Sequence, residues 1–413
     1  FFPQLLASNC TVWRAKPNMI NLNQLKLKLP NSIQLKEIQQ LDFFSVLIIV
    51  LLFLRVLVDR SGFGAVIGLA LLGCFFLLLV FKLKLPKYLL LYTSLIFVLN
   101  GYSFINATLI HGEPLYTIRG VIRYFSYFAI FILVYYSKIS FKQIFQLYTL
   151  IVLIESILAI FQFLLLGKER PSGTFINSNH FSYFLVPYFS ILLIVYKKYI
   201  LAFLVFLLSA FLGGMGGVIS LLLVLFLFLS HYAKRWQKVA SILVFPIFIV
   251  VAGLLMQNRV KELADVSAIS ERLAENQAGG GSSLVWRVVT WKLMYDELVE
   301  KDGLYSGMGL EYASLVSPYF LESSIREPHN DYLRILLEFG LFGFALFLYA
   351  LYYGLFKLRK NALEQNSSHY YALYAAMAAI YLGMIVGNIV VLNTLWWLLL
   401  SIIAIMHKEE KEK

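Results

Sequence analysis

Charge is what this 413-residue chain has least of. Asp, Glu, Lys and Arg make up 14% of it, where a soluble domain carries roughly 25%. Hydrophobic residues make up 60% and the mean hydropathy is +0.77, which excludes an ordinary water-soluble enzyme. Cysteine is nearly missing. Cys10 and Cys74 are too few for a metal cluster, and one lies in a polar stretch and the other in an apolar run, so no disulfide is expected between them. Acidic residues are also short, 23 against 35 Lys and Arg, for a net charge of +12. In a soluble chain that excess would suggest nucleic acid. Here the cations collect in loops between apolar runs, so the partner is a lipid bilayer and no nucleic acid is expected. No cleavable signal precedes the first apolar run, which is expected to direct insertion itself.

What the chain does have is long apolar segments. They fall at 43–58, 63–81, 88–105, 121–136, 148–166, 181–196, 199–212, 218–230, 240–256, 332–356, 371–389 and 392–406. A spanning helix needs about 20 apolar residues, so the expected fold is all-α and polytopic with about twelve transmembrane helices. The seventh and eighth segments flank Gly213-Gly214-Met215-Gly216-Gly217 and could be one broken helix. Alternate loops at 82–87, 137–146, 197–198, 231–238 and 357–360 carry 3, 2, 2, 3 and 3 basic residues and no acidic ones. The positive-inside rule makes these loops cytoplasmic, with both termini inside. The long loop at 257–330, with 7 basic and 11 acidic residues, then faces the periplasm. The expected organisation is a cytoplasmic or interfacial segment 1–42, helices one to nine over 43–256, one large periplasmic helical loop 257–331, three more helices over 332–406 and a cytoplasmic tail 407–413. Within the loop, helical spacing runs over 260–276 and 285–299, separated by Gly279-Gly280-Gly281-Ser282-Ser283. A long patterned loop of this kind is commonly functional.

Chemistry-bearing residues gather around that loop. His329 stands at the mouth of the tenth segment, in Glu327-Pro328-His329-Asn330-Asp331-Tyr332, with Pro328 suited to a helix start. An imidazole can accept a proton near neutrality; on spacing alone, a headgroup-level histidine fits equally well. Gly340 and Gly343, at i,i+3 spacing, would allow close helix packing. Outer-side arginines are Arg119, Arg123, Arg170, Arg287 and Arg326. The positive-inside rule leaves few cations there, and a guanidinium suits phosphate oxygens. Pairing with Glu113, Glu169 or the loop acids accounts for at least two of them equally well. Arg287, flanked by Trp286 and Trp291, is the strongest candidate and Arg123 the second. Glu155 lies within a spanning segment, where an ionisable group is either functional or hydrogen-bonded to a neighbouring helix. Arg55, nearer a helix end, can snorkel. Glu300-Lys301-Asp302 reads as a solvated turn before it reads as a cation site.

With these residues assembled, the chain resembles the O-antigen ligase and polymerase superfamily, integral membrane glycosyltransferases of GT-C-like architecture. The similarity rests on His329-Asn330, nine residues, Gly340, two residues, Gly343. It rests also on Arg170-Pro171-Ser172-Gly173-Thr174-Phe175-Ile176-Asn177-Ser178-Asn179-His180, and on Ser283-Leu284-Val285-Trp286-Arg287 with Trp291, then Gly307-Met308-Gly309. It covers roughly residues 115–406. The resemblance implies an inverting, metal-independent transfer of a glycan from undecaprenyl diphosphate to an acceptor hydroxyl at the periplasmic face of the bacterial inner membrane, with no cofactor. His329 would be the base or acceptor-orienting group. Arg287, Arg123, Arg170, Arg119 and Asn330 would bind the diphosphate or substrate. The acceptor would be lipid A–core for a ligase or a growing glycan for a polymerase, and one large late loop favours the ligase. A lipid-linked-glycan flippase or transporter is the alternative outside the class, though the chain shows no internal repeat. One departure stands out: Met215 occupies a position where ligase-like members carry an arginine.

Overall fold

The computed structural model describes residues 42–58, 63–82, 98, 100–109, 114–232, 283–313 and 328–411. Among them the secondary structure is helical, with no strand. The helices are α1 (Phe43–Leu57), α2 (Gly64–Lys82), α3 (Pro114–Tyr136), α4 (Phe141–Leu166), α5 (Ser178–Ile194), α6 (Tyr199–Phe211), α7 (Met215–Tyr232), α8 (Ser283–Glu300), α9 (Asp331–Glu364), α10 (Ser368–Gly383) and α11 (Asn393–Lys411). A further helical stretch covers 100–109. Among the described residues four helices are long and apolar enough to cross a membrane: 117–136 within α3, then α4, α7 and α9. The chain is a helical membrane protein. The expected segment 240–256, the helical run 260–276, most of 88–105 and the N-terminal 41 residues lie outside the described residues.

Helix ends follow local chemistry. Ser140 and Gln143 form a capping box at α4, while Asn177, Asn330 and Ser367 each cap a helix with a side-chain oxygen. Between α6 and α7, Gly213 adopts φ +68°, so the seventh and eighth segments are two helices. Their turn is tight because Gly214 and Gly217 pack directly on Ser182 of α5. Helix α5 is buried along nearly its whole length, as an apolar helix enclosed by others must be. Helices α7 and α10 pack against it, and α11 packs on α3.

The bundle has two distinct ends. At one, Lys408 Nζ donates to Ser137 O (2.8 Å), Tyr370 and Gln365 bond Glu410, and the Phe141 ring meets His369. Phe145 stacks on Tyr196, and His231 on Tyr371. The basic loops at 137–146, 197–198 and 231 onward thus start from this end. At the other end lie the 167–177 loop, the Gly213 turn, α8 with the 301–313 segment, and His329.

The 301–313 segment has its own small core, Met294, Leu298, Met308, Tyr312 and Leu337, and it docks into a break in α9. There Gly340 has φ +66° and ψ −173°. Met308 N donates to Leu337 O (2.6 Å), Gly309 N to Glu338 O (3.1 Å) and Leu341 N to Leu304 O (2.8 Å). A Cβ on Gly340 would run into the Tyr305 backbone and the Gly307 nitrogen. The glycine pair read as a helix-packing stripe is therefore a helix break: Gly340 supplies a backbone conformation open mainly to glycine, while Gly343 lies against Phe339 of its own helix.

Candidate active site

Pro328 sits two residues ahead of the N-cap Asn330 rather than in the first helical turn, so the chain enters α9 through His329. That residue has φ +49°, a left-handed conformation uncommon for a side-chain-bearing residue and often found at functional sites. The turn is held on both sides. Trp291 Nε1 donates to Pro328 O (2.6 Å), and Asp331 Oδ2 accepts from Ile389 N (2.6 Å) and Val390 N (2.9 Å). Asp331 N in turn donates to Met384 O (2.9 Å). The 384–390 segment is thereby pinned to the start of α9 and brings Asn388 to the imidazole.

The His329 ring is braced by an edge-to-face contact with Trp286, centroids 5.6 Å apart, and by Asn388 Nδ2, 3.2 Å from His329 Nδ1. The amide can serve the ring in two orientations. With Nδ2 on the ring, Nδ1 accepts and Nε2 carries the proton. With the amide turned over, Oδ1 accepts from Nδ1–H and the Nε2 lone pair is open, as a base requires. Burial pulls the His329 pKa down from 6.5 to about 4, helped by the positive charges of Arg287, His180 and Arg334. The ring is neutral at physiological pH, within electrostatic reach of two arginines.

The arginines expected from the sequence divide by environment. Arg287 follows Trp286 at the start of the second turn of α8 and acts on His329. Arg123 Nη1 is 2.5 Å from Glu311 Oε1, and both side chains are largely buried, so its charge is already met by a carboxylate. Arg119 is exposed one turn earlier on α3. Arg170 is exposed and reaches the α6–α7 turn, where Nη2 donates to Asn179 Oδ1 (3.0 Å) and Gly213 O (3.2 Å). A guanidinium therefore reaches the turn where Met215 stands, although it comes from a different loop. Asn330 spends its side-chain oxygen on Leu333 N (3.0 Å). Arg326 lies outside the described residues.

Several residues were missed by sequence reading. Arg334 and Glu338, five and nine residues after His329, form a fully buried pair (3.4 Å), and Tyr124 OH donates to Glu338 Oε2 (3.4 Å). With Arg123 and Glu311 they make a buried charge network behind the site. Asp331 and His180 stood in the sequence motifs without a role, and Asn388 was not singled out. An i,i+4 Arg–Glu pair within an apolar segment is the one signal that could have found the network.

Glu155, wholly buried, receives the Thr174 backbone N–H (2.7 Å) and meets the Thr174 hydroxyl (2.6 Å). Gln162 Oε1 accepts from Ser172 N and Gly173 N, and its Nε2 donates to Gly173 O (2.6 Å). Two α4 side chains thus clamp the loop that carries Arg170. Arg55 does not snorkel: it is buried beneath Trp397, 6.0 Å from the ring centroid. Lys301 turns back to Glu297 Oε1 (2.9 Å) and Tyr312 OH (2.9 Å), which makes 300–302 the structured end of α8.

Residues 184–348 match the family model described as O-antigen ligase. The match starts within α5 and ends within α9, so it takes in the α6–α7 turn, α8 and the His329 turn. No curated protein matches the chain. Over residues 184–348 this helical membrane protein is similar to the O-antigen ligase family.

Proposed function

We propose that the protein transfers a glycan from undecaprenyl diphosphate to a hydroxyl of lipid A–core, as an O-antigen ligase at the periplasmic face of the inner membrane. The observation that carries the reading is the His329 turn: a neutral imidazole braced by Trp286 and Asn388, beside Arg287, at the end of the bundle opposite the basic loops. By the positive-inside rule those loops are cytoplasmic, which supports a periplasmic His329 and, with the apolar segments, about twelve spans.

The acceptor oxygen attacks the anomeric carbon, and its proton passes to His329 Nε2. The bond from that carbon to the diphosphate oxygen breaks with both electrons going to the leaving diphosphate. Arg287, with Arg170, meets the developing charge by fixed electrostatics. Arg123 contributes less, because Glu311 already neutralises it, and it serves mainly to hold the 301–313 segment against α3. A single displacement inverts the anomeric configuration and asks no metal to take part.

Incubating purified protein with undecaprenyl-diphosphate-linked glycan and lipid A–core tests the reading. Wild-type protein should attach glycan to core, and His329→Ala should lose about 10²–10⁴-fold in rate while remaining folded. Glycan lengthened on its carrier, with none on core, would instead identify a polymerase. Transfer at the wild-type rate by His329→Ala would remove the histidine from the mechanism.

A further inference from the structure

Three glycines from separate parts of the chain converge on one phenol. Tyr183 lies on α5 and is 3% exposed. A Cβ on Gly216 of α7 would run into its hydroxyl. One on Gly383, the last residue of α10, would stand 2.6 Å from Cε1, and one on Gly387 would stand 3.1 Å from both Cε2 and the hydroxyl oxygen. The hydroxyl donates to Gly383 O (3.3 Å), which satisfies the polar end of a buried ring. The glycine run between α6 and α7 thus serves α5 twice: Gly214 and Gly217 seat on Ser182, and Gly216 on Tyr183. Small residues at these positions let the backbones close on the ring.

That ring packs on the segment that serves His329. Residues 384–390 leave α10 toward α11 and carry Asn388, whose amide meets His329 Nδ1 at 3.2 Å. The far end of the segment is tied by hydrogen bonds. Asp331 holds the nitrogens of Ile389 and Val390, Trp396 Nε1 donates to Ile389 O (2.8 Å), and Tyr127 OH donates to Val390 O (2.7 Å). At the near end Met384 O accepts from Asp331 N. Between these ties Ile385 and Val386 are exposed, while Gly387, directly before Asn388, lies against Tyr183.

We infer that Tyr183 is a positioning residue for His329: its phenol, seated between Gly216, Gly383 and Gly387, sets the level of the 384–390 segment at which the Asn388 amide meets the imidazole. The inference rests on the transferase reading above and adds a residue that acts through Asn388 without touching substrate. A base must offer Nε2 with its lone pair free, and the hydrogen bond at Nδ1 is what selects that tautomer. At 3.2 Å the contact stands at the long edge of the hydrogen-bond range. Close-packed interiors transmit the displacement caused by one added or missing methyl, so emptying or overfilling the socket shifts Asn388 off the ring.

The test is magic-angle-spinning nitrogen NMR of full-length protein in proteoliposomes with isotope-labelled histidine, run beside steady-state transfer kinetics. Nitrogen shifts distinguish the two tautomers of a neutral imidazole, and the His329 signals are those lost in His329→Ala. Wild-type protein should show one His329 tautomer, and Asn388→Ala and Tyr183→Ala should each show a mixture. In both variants kcat should fall about five- to tenfold, the scale of one lost hydrogen bond, with donor KM unchanged. In the Asn388→Ala background Tyr183→Ala should lower kcat no further, because both act through one contact; a merely structural loss would multiply. Gly387→Ala adds a single methyl against Tyr183 and should give the same mixture, so the outcome does not depend on Tyr183→Ala folding. Tyr183→Phe keeps the ring and should retain one tautomer. A single His329 tautomer in Tyr183→Ala and Gly387→Ala, or kcat losses that multiply with Asn388→Ala, overturns the inference. The two readings fail separately. Tautomer mixing in Tyr183→Ala with no glycan product from the wild type sinks the transferase reading alone. His329-dependent transfer with undiminished kcat in Tyr183→Ala and Gly387→Ala sinks the positioning role alone.

Discussion

Lowering the pH of the transfer assay from about 7.5 to about 5.5 separates a buried His329 from an ordinary histidine base. A free imidazole of pKa near 6.5 would be only about 10% neutral at the lower pH. With its pKa drawn down to about 4, His329 stays about 97% neutral there, a difference in proton affinity of about 3 kcal/mol. Burial is the larger cause, followed by the Arg287, His180 and Arg334 charges. The acidic limb of kcat/KM, which reports the free enzyme, should therefore lie between about pH 4 and 5. A bound diphosphate beside Arg287 cancels part of the cationic repulsion, so the limb of kcat should lie at higher pH than that of kcat/KM. Arg287→Ala removes the same repulsion and should move the kcat/KM limb upward, short of 6.5 because the ring remains buried. The measurement is a steady-state profile in both proteins. A tenfold fall of wild-type kcat/KM by pH 5.5, or a limb that Arg287→Ala leaves in place, would refute the reasoning.

Asn388→Ala removes the partner of Nδ1 and frees the ring to take the wrong tautomer; kcat should fall five- to tenfold or about 1 kcal/mol, with donor KM little changed, and an unaltered kcat would dismiss the amide. Gly340→Ala forces a side chain into a left-handed break already filled by the Tyr305 backbone, so thermal stability in detergent should drop by at least 1–2 kcal/mol, or roughly the cost of that conformation alone; a wild-type melting temperature would show that α9 is not broken there. Glu338→Ala strips the carboxylate from buried Arg334 and should destabilise by about 3–5 kcal/mol, whereas replacing both residues together with Leu should cost less. If the double variant unfolds as readily as the single one, the charge pair is not what holds that turn.

The break at Gly340 shows where sequence reading stops. The i,i+3 glycine spacing is equally consistent with a packed helix and with a broken one, because what decides is the approach of the 304–309 backbone from elsewhere in the chain. The same holds for the cations. The positive-inside rule leads one to expect both arginines on the outer side, but Arg123 and Arg287 look alike until Glu311 is brought 2.5 Å from the one and His329 within electrostatic reach of the other.

Composition, run length and loop charge were enough to determine that this chain lives in a bilayer as a helical bundle, since scarce charge leaves only hydrocarbon as a compatible solvent. The residues from His329 to Gly343 and the Trp286-Arg287 pair carried the family resemblance, because their spacing is local. Tertiary structure alone decided which side chains meet: Asn388 on His329, Arg170 on the Gly213 turn, Glu155 on Thr174. Those contacts join residues 19 to 59 positions apart, and no helical or strand period links such separations. Only the packing of one helix on another can set them.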